Sequence, residues 1–263
     1  CGYKCFREFV KLTENLPMRF FHVIPGGLPV DRKFSHAKTL SQAEEKMALR
    51  LENVLGLGEV FSWTKVTNLD TKTMQTLKYM LENDYVINGH TAGASDKKLN
   101  AYIASGILSC HEPVDFDQVI ERLRLGMWIM MREGSIRRDL DKIIPSVLAN
   151  GIYLDRLMFC SDGVNPKDLL EFGHIDHCIR KAVSLGLDPI DAITIATKNC
   201  FDYYNMGKDY GGIAPGKIAD ILVFDDLDKL KPTKVFVGGN LVVSHGAIVA
   251  KLKEPNIPSW ITK

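Results

Sequence analysis

Six times in succession a short run of strand-forming residues gives way to a longer helical stretch. The strand runs are Met18–Ile24, Val54–Val60, Tyr85–Asn88, Ile107–Ser109, Gly126–Met131 and Leu157–Cys160. Helical periodicity fills 41–55, 71–82, 96–105 and 115–125, a stretch ending at Asn150, and two closing stretches near 168–186 and 189–204. Ser41 followed by Glu44 predicts a capping box, and Gly106 and Gly151 are placed to end helices. Alternation at this spacing predicts parallel strands joined by crossover helices. Right-handed crossovers repeated six times either curl a sheet towards a barrel or spread it into an open doubly wound sheet. No Gly-x-Gly-x-x-Gly or Walker A sequence follows any strand, which weighs against a dinucleotide or nucleotide fold.

The texture changes after Gly207. A turn-rich stretch, Gly211–Asp220, leads into short strands at 221–224, 234–237 and 241–243, with Gly238-Gly-Asn240 as a hairpin turn. The expected organisation is a domain of alternating β and α elements over 1–206 and a small β appendage over 207–263.

Charge narrows the function classes. Lys and Arg number 33 against 32 Asp and Glu, a net charge of +1. Such balance supports neither a nucleic-acid groove nor a polybasic membrane surface. The longest apolar stretches, such as Met127–Met131, are far too short for a bilayer. The six cysteines include no Cys-x-x-Cys pair, so they read as free thiols of a reducing compartment, and the cytoplasm is the expected location.

In a parallel barrel the carboxyl ends of the strands share one face, where active sites are built. Glu59, His90, His111 and Asp162 each fall at the end of a strand run, and Arg132 and Glu133 at another. Singly, such residues are loop hydrogen-bonders, helix caps or solvated charges. Together, two imidazoles and two carboxylates at four strand ends point to a bound metal. His174-Ile-Asp-His177 sets two imidazoles on one helix face, where His177 reads as packing. His22, His36 and His245 carry no partner signal. Cys110-His-Glu-Pro113 lacks the His-x-Glu and Pro-Cys-x-x-Cys of the cytidine-deaminase zinc signature.

Gly56-Leu-Gly-Glu-Val60, Ile87-Asn-Gly-His-Thr91, Ser109-Cys-His-Glu112, Arg132-Glu-Gly-Ser135 and Cys160-Ser-Asp162 occur in that order, followed by Gly173-His-Ile-Asp176 and Ile213–Asp220. This series resembles the adenine deaminases of the metal-dependent amidohydrolase superfamily across nearly the whole chain. The resemblance implies strands 3–8 of a distorted (β/α)₈ TIM-like barrel beside a small β-sandwich. It implies a binuclear divalent centre, of manganese or iron with zinc as the alternative. Glu59 bridges the ions, His90 and His111 bind the second, and Asp162 binds the first and shuttles protons. The implied reaction is hydrolysis of the purine base adenine to hypoxanthine and ammonia, with Glu59 and Asp162 as the catalytic pair. Glu112, Arg132, Glu133 and His174 are expected around the substrate, although an ion pair bracing the barrel rim accounts for Arg132 and Glu133 equally well. A homo-oligomer is expected by the same analogy.

The family begins its barrel with a strand ending in His-x-His, and no His-x-His occurs in these residues. The chain is therefore expected to be a fragment, very weakly active or inactive alone. The alternatives are another amidohydrolase acting on cyclic amides, and a non-catalytic scaffold of the same fold.

Overall fold

Val54–Val60 is apolar along almost its whole length, the signature of a parallel strand covered on both faces, and it is a strand in the computed structural model. The structure describes residues 2–27, 38–227, 229–254 and 257–260. They fall into two compact units, one of Cys1–His90, Asp96–Ile107 and Val249–Lys263, the other of Thr91–Ser95 and Leu108–Ile248.

The first unit runs α1 (Gly2–Glu14), β1 (His22–Ile24), α2 (Gln42–Ala48), β2 (Val54–Val60), α3 (Trp63–Thr67), α4 (Thr71–Glu82), β3 (Val86–Gly89) and α5 (Asp96–Ala104). Its strands form a parallel sheet in the order β1-β2-β3. Ile24, Leu57, Val60 and Ile87 pack against Leu77, Met80 and Tyr102 in the core. Ser41 caps α2 in the expected box, its side chain taking the Glu44 N–H and the Glu44 carboxylate taking its own. The helix ends at Ala48, well short of residue 55. Turn hydrogen bonds from Leu51 to Ala48 and from Val54 to Leu51, with Asn53 at φ 61°, reverse the chain so that β2 can start at Val54. His22 is buried, its Nε2 2.9 Å from the Thr13 hydroxyl and its ring among Phe6, Phe9 and Phe20, so it is a core residue. His36 and Cys1 lie outside the described residues.

The second unit contains β4 (Ser109–Cys110), α6 (Phe116–Arg124), β5 (Trp128–Arg132), α7 (Leu140–Ala149), β6 (Leu157–Cys160), α8 (Pro166–Glu171), α9 (Ile175–Ser184), α10 (Pro189–Ala196) and α11 (Lys198–Tyr203). The strands form a second parallel sheet, β4-β5-β6. Ile129, Met131 and Leu157 from the sheet, Ile143 and Val147 from α7, and Ala182 and Ile195 from α9 and α10 are fully or almost fully buried. The helical stretch 168–186 is two helices. Gly173, at φ 98°, turns the chain, and a Cβ there would lie 2.5 Å from the Asp176 carboxylate that receives the His174 N–H. The stretch 189–204 also divides, at Thr197, whose hydroxyl donates to the Ile193 carbonyl in place of a regular backbone pattern.

The unit ends in an antiparallel sheet of β7 (Ile221–Val223), β8 (Lys234–Val237), β9 (Asn240–Ser244) and β10 (Ala247–Ile248), ordered β10-β9-β8-β7. His245 is exposed between β9 and β10. Among the described residues, no helix is long and apolar enough to cross a membrane.

Candidate metal centre

In the first unit, parallel pairing of β2 with β3 sets Val60 opposite Gly89, so the two strands end together. Glu59 is the penultimate residue of β2 and His90 follows β3 directly. Their side chains meet, His90 Nδ1 lying 3.2 Å from Glu59 Oε2 with both half-buried. His90 is fixed from behind by a fully buried tyrosine. Its N–H donates to the Tyr102 hydroxyl at 3.0 Å, and that hydroxyl donates to the Val60 carbonyl at 2.8 Å. Replacing Tyr102 with phenylalanine leaves both backbone groups short of a buried partner. We expect a loss of about 1–3 kcal/mol in urea unfolding; an unchanged midpoint would show that water replaces the hydroxyl without cost.

In the second unit, β4, β5 and β6 carry His111, Arg132 and Asp162 at or just beyond their carboxyl ends. Register pairs Arg132 with Cys160, which places Asp162 two residues beyond that pair. His111 Nε2 is 3.2 Å from Glu112 Oε1, and that oxygen accepts from Arg132 Nη1 at 2.6 Å. The same Nη1 is 3.4 Å from Asp162 Oδ2, while Arg132 Nε donates to Asp139 Oδ2 at 3.2 Å. One guanidinium, its side chain only 3% exposed, thus gathers three carboxylates. Its remaining nitrogen, Nη2, has no hydrogen-bond partner among the described residues.

The donor chemistry of this unit fits a divalent first-row ion. Ligand atoms of His111, Glu112 and Asp162 all lie within 4.8 Å of one another. Two donors bound to one ion at about 2.0–2.2 Å are at most about 4.4 Å apart, so small side-chain shifts would suffice. Glu112 is the least available of the three, because it is already engaged by Arg132; it is placed to orient His111.

The loop bearing Asp162 is laced to the Arg132-Glu-Gly-Ser135 segment. The Glu133 N–H donates to the Cys160 carbonyl, the Ser135 N–H to the Gly163 carbonyl, and the Asn165 N–H to the Ser135 hydroxyl. Gly134 cannot carry a side chain here, since a Cβ would sit 1.9 Å from the Ser161 carbonyl oxygen. The Asp162 N–H donates to Cys160 Sγ at 3.2 Å, and the residue adopts φ 52°, which presents its carboxylate to solvent on one side.

Glu133 turns away from this cluster towards α9. Its Oε1 is 4.0 Å from His177 Nε2, too long for a hydrogen bond, and its Oε2 is buried without a partner among the described residues. Burial pushes the Glu133 carboxyl up and the His177 imidazole down. Both shifts favour a neutral pair over an ion pair. The acids that face Arg132 are Glu112, Asp139 and Asp162, whereas Glu133 takes no part in the cluster. His177 packs on Phe172 at 5.6 Å, and His174 Nε2 lies 2.9 Å from the Ser161 hydroxyl, one residue from Asp162. Burial raises Cys178 to about 12, so this thiol is an inert packing group. Asp139, Ser161 and Tyr102 were not foreseen; only Asp139, seven residues beyond Arg132 across a Gly-Ser turn, had a sequence signal.

The sequence pattern of the amidohydrolase family matches residues 6–242. The chain belongs to the amidohydrolase family. Its fold is that of this superfamily, of the α/β barrel type, and a divalent metal centre is the superfamily's common equipment. Among relatives of this amidohydrolase is the adenine deaminase of Cenarchaeum symbiosum, 60% identical over 259 residues, 98% of this chain and 42% of that protein. The adenine deaminase of Oceanobacillus iheyensis is 35% identical over 236 residues, 90% of this chain and 40% of that one. The chain thus spans about two fifths of the length of these curated relatives. Among solved structures, N-acetylglucosamine-6-phosphate deacetylase of Pasteurella multocida superposes with a TM-score of 0.64 at 13% identity, covering 92% of this chain and 72% of that one. A structure of enamidase gives 0.57 at 18% identity, covering 80% of this chain and 60% of that one. At such identities the likeness speaks for the fold alone.

Proposed function

We propose that this chain is part of a metal-dependent adenine deaminase, which hydrolyses adenine to hypoxanthine and ammonia. The observation that carries the reading is the 60% identity to a curated adenine deaminase along 98% of the chain. In this reading the chain supplies strands 3–8 of the barrel over 1–206, and 207–263 belongs to a β-sandwich. Glu59, His90, His111 and Asp162 would hold the divalent metal. Mixed imidazole and carboxylate donors suit manganese or iron, and zinc less selectively. When bound, the cations make water available as hydroxide near neutral pH.

The protein's own groups do the rest. Asp162 takes the proton of the attacking water and returns it to the amine leaving C6, a base-then-acid role. Glu112 orients His111, as carboxylates behind ligating histidines commonly do. Arg132 stands beside the purine through its cluster with Glu112 and Asp162, whereas Glu133, turned towards α9, is left without a substrate contact. His174 closes the pocket beside Ser161. The enzyme is cytoplasmic and homo-oligomeric in this reading.

The test is loss of adenine absorbance on adding Mn²⁺ to the longest polypeptide that carries this chain, with and without a chelator. Metal-dependent conversion to hypoxanthine is expected. Turnover of cyclic amides but not adenine would reassign the substrate, and neither activity nor bound metal would leave a non-catalytic scaffold.

A further inference from the structure

Arg122 is a fully charged side chain in the last turn of α6, yet only 3% of it is exposed. Burying a guanidinium is costly unless every N–H finds a partner. Here each does. Nε donates to the Thr91 hydroxyl at 2.9 Å. Nη2 donates to the carbonyls of Thr91 and Ala94, both at 3.1 Å. Nη1 donates to the Gln118 carbonyl at 3.1 Å and reaches Glu121 at 3.4 Å. The planar fork of five donors is matched in full, which no lysine could reproduce.

The position of those acceptors gives the arrangement its meaning. Thr91 is bonded in the chain to His90. Its hydroxyl, already accepting from Arg122, is 2.7 Å from Cys110 Sγ, and both residues are fully buried. Cys110 precedes His111, and its sulfur accepts the Glu112 N–H at 3.3 Å. A single connected path therefore runs from Arg122 through Thr91 and Cys110 to Glu112. It includes the residues on either side of His111 and the residue that follows His90.

We propose that Arg122 is a positioning residue for metal binding, setting the backbone of both histidine ligands through the Thr91–Cys110 contact. This rests on the reading of His90 and His111 as ligands. Arg122 touches neither ion nor substrate, and its effect passes entirely through hydrogen bonds to the two ligand-bearing segments.

The test compares the longest polypeptide that carries this chain with its Arg122→Lys, Arg122→Met and Thr91→Val variants. A control, Ile144→Ala in α7, is destabilised by removing apolar volume in the same unit. Mn²⁺ affinity is followed by the electron paramagnetic resonance of the free ion, and the histidine ring signals by heteronuclear NMR without metal. Outer partners of ligating groups typically contribute 10–100-fold in affinity. That loss is expected in all three variants, lysine no better than methionine, while the control keeps wild-type affinity. Without metal, the ring signals of His90 and His111 shift, and those of His22 and His245 stay in place. Unmoved His90 and His111 signals, or equal losses of affinity in the variants and the control, overturn the proposal. Failure of the wild-type chain to bind Mn²⁺ while the two ring signals still shift would instead remove the ligand reading and leave a purely structural clamp.

Discussion

On the proposed function, Asp162→Asn in the longest polypeptide that carries this chain is expected to lower kcat for adenine about 1000-fold with little change in KM. An amide keeps the shape of the side chain and one oxygen for an ion, but it cannot take a proton from water or pass one to the leaving amine. Loss of a positioned acid–base group typically costs between about 10² and 10⁴ in rate. An effect confined to kcat marks a group that acts only as the transition state forms. The local geometry favours a clean result. The loop is fixed by the Ser135 and Gly163 contacts, the Asp162 N–H is held by Cys160, and the carboxylate is 44% exposed. Metal content measured by elemental analysis on the same preparation separates lost proton transfer from a lost ligand. A variant that retains its metal and turns over within tenfold of wild type would remove Asp162 from the chemistry.

Removing the Arg132 guanidinium is expected to be the most damaging change to stability. Glu112 and Asp139 have side chains 11% and 9% exposed, and both lean on the same cation. Arg132→Met leaves them facing each other with nothing between. Breaking a buried ionic cluster by deleting one member typically costs about 3–5 kcal/mol, because the stranded charges are no longer compensated. Urea unfolding at neutral pH measures the loss. Replacing Arg132, Glu112 and Asp139 together by apolar residues is expected to recover much of it. A single variant as stable as the parent would mean that water reaches the cluster and screens it.

Most of the strand ends that carry the candidate residues could be read in the amino-acid order, because strands buried on both faces are easy to find. Val54–Val60 and Leu157–Cys160 coincide with β2 and β6, and these bounds place Glu59 and Asp162 at the carboxyl ends. His90 and His111 follow for the same reason from β3 and β4. Helix continuity was harder to read. Apolar periodicity runs straight through Gly173 and Thr197, and only side-chain bonds to the backbone divide those helices. The pairing of Arg132 with Glu112 was also hidden, since the two come from different loops and nothing local links them, whereas Asp139 is at least close to Arg132 in sequence. Arg122 had a faint signal. It lies three residues after Val119 on the buried face of α6, although a charged run such as Glu121-Arg-Leu-Arg124 reads first as a solvated surface.

The contact between Gly134 and the Ser161 carbonyl has a bearing on how such a protein can change. Two stretches of chain remote in sequence are in van der Waals register at the point where the acid is displayed, and the gap is too small for one methyl group. Substitutions within 161–165 are therefore tolerable only while position 134 stays bare. The reverse also holds: a single base change at that codon would displace the acid-bearing loop without altering any reacting atom. The smallest residue in the neighbourhood thus sets the latitude that selection, natural or in the laboratory, has over the segment that displays Asp162.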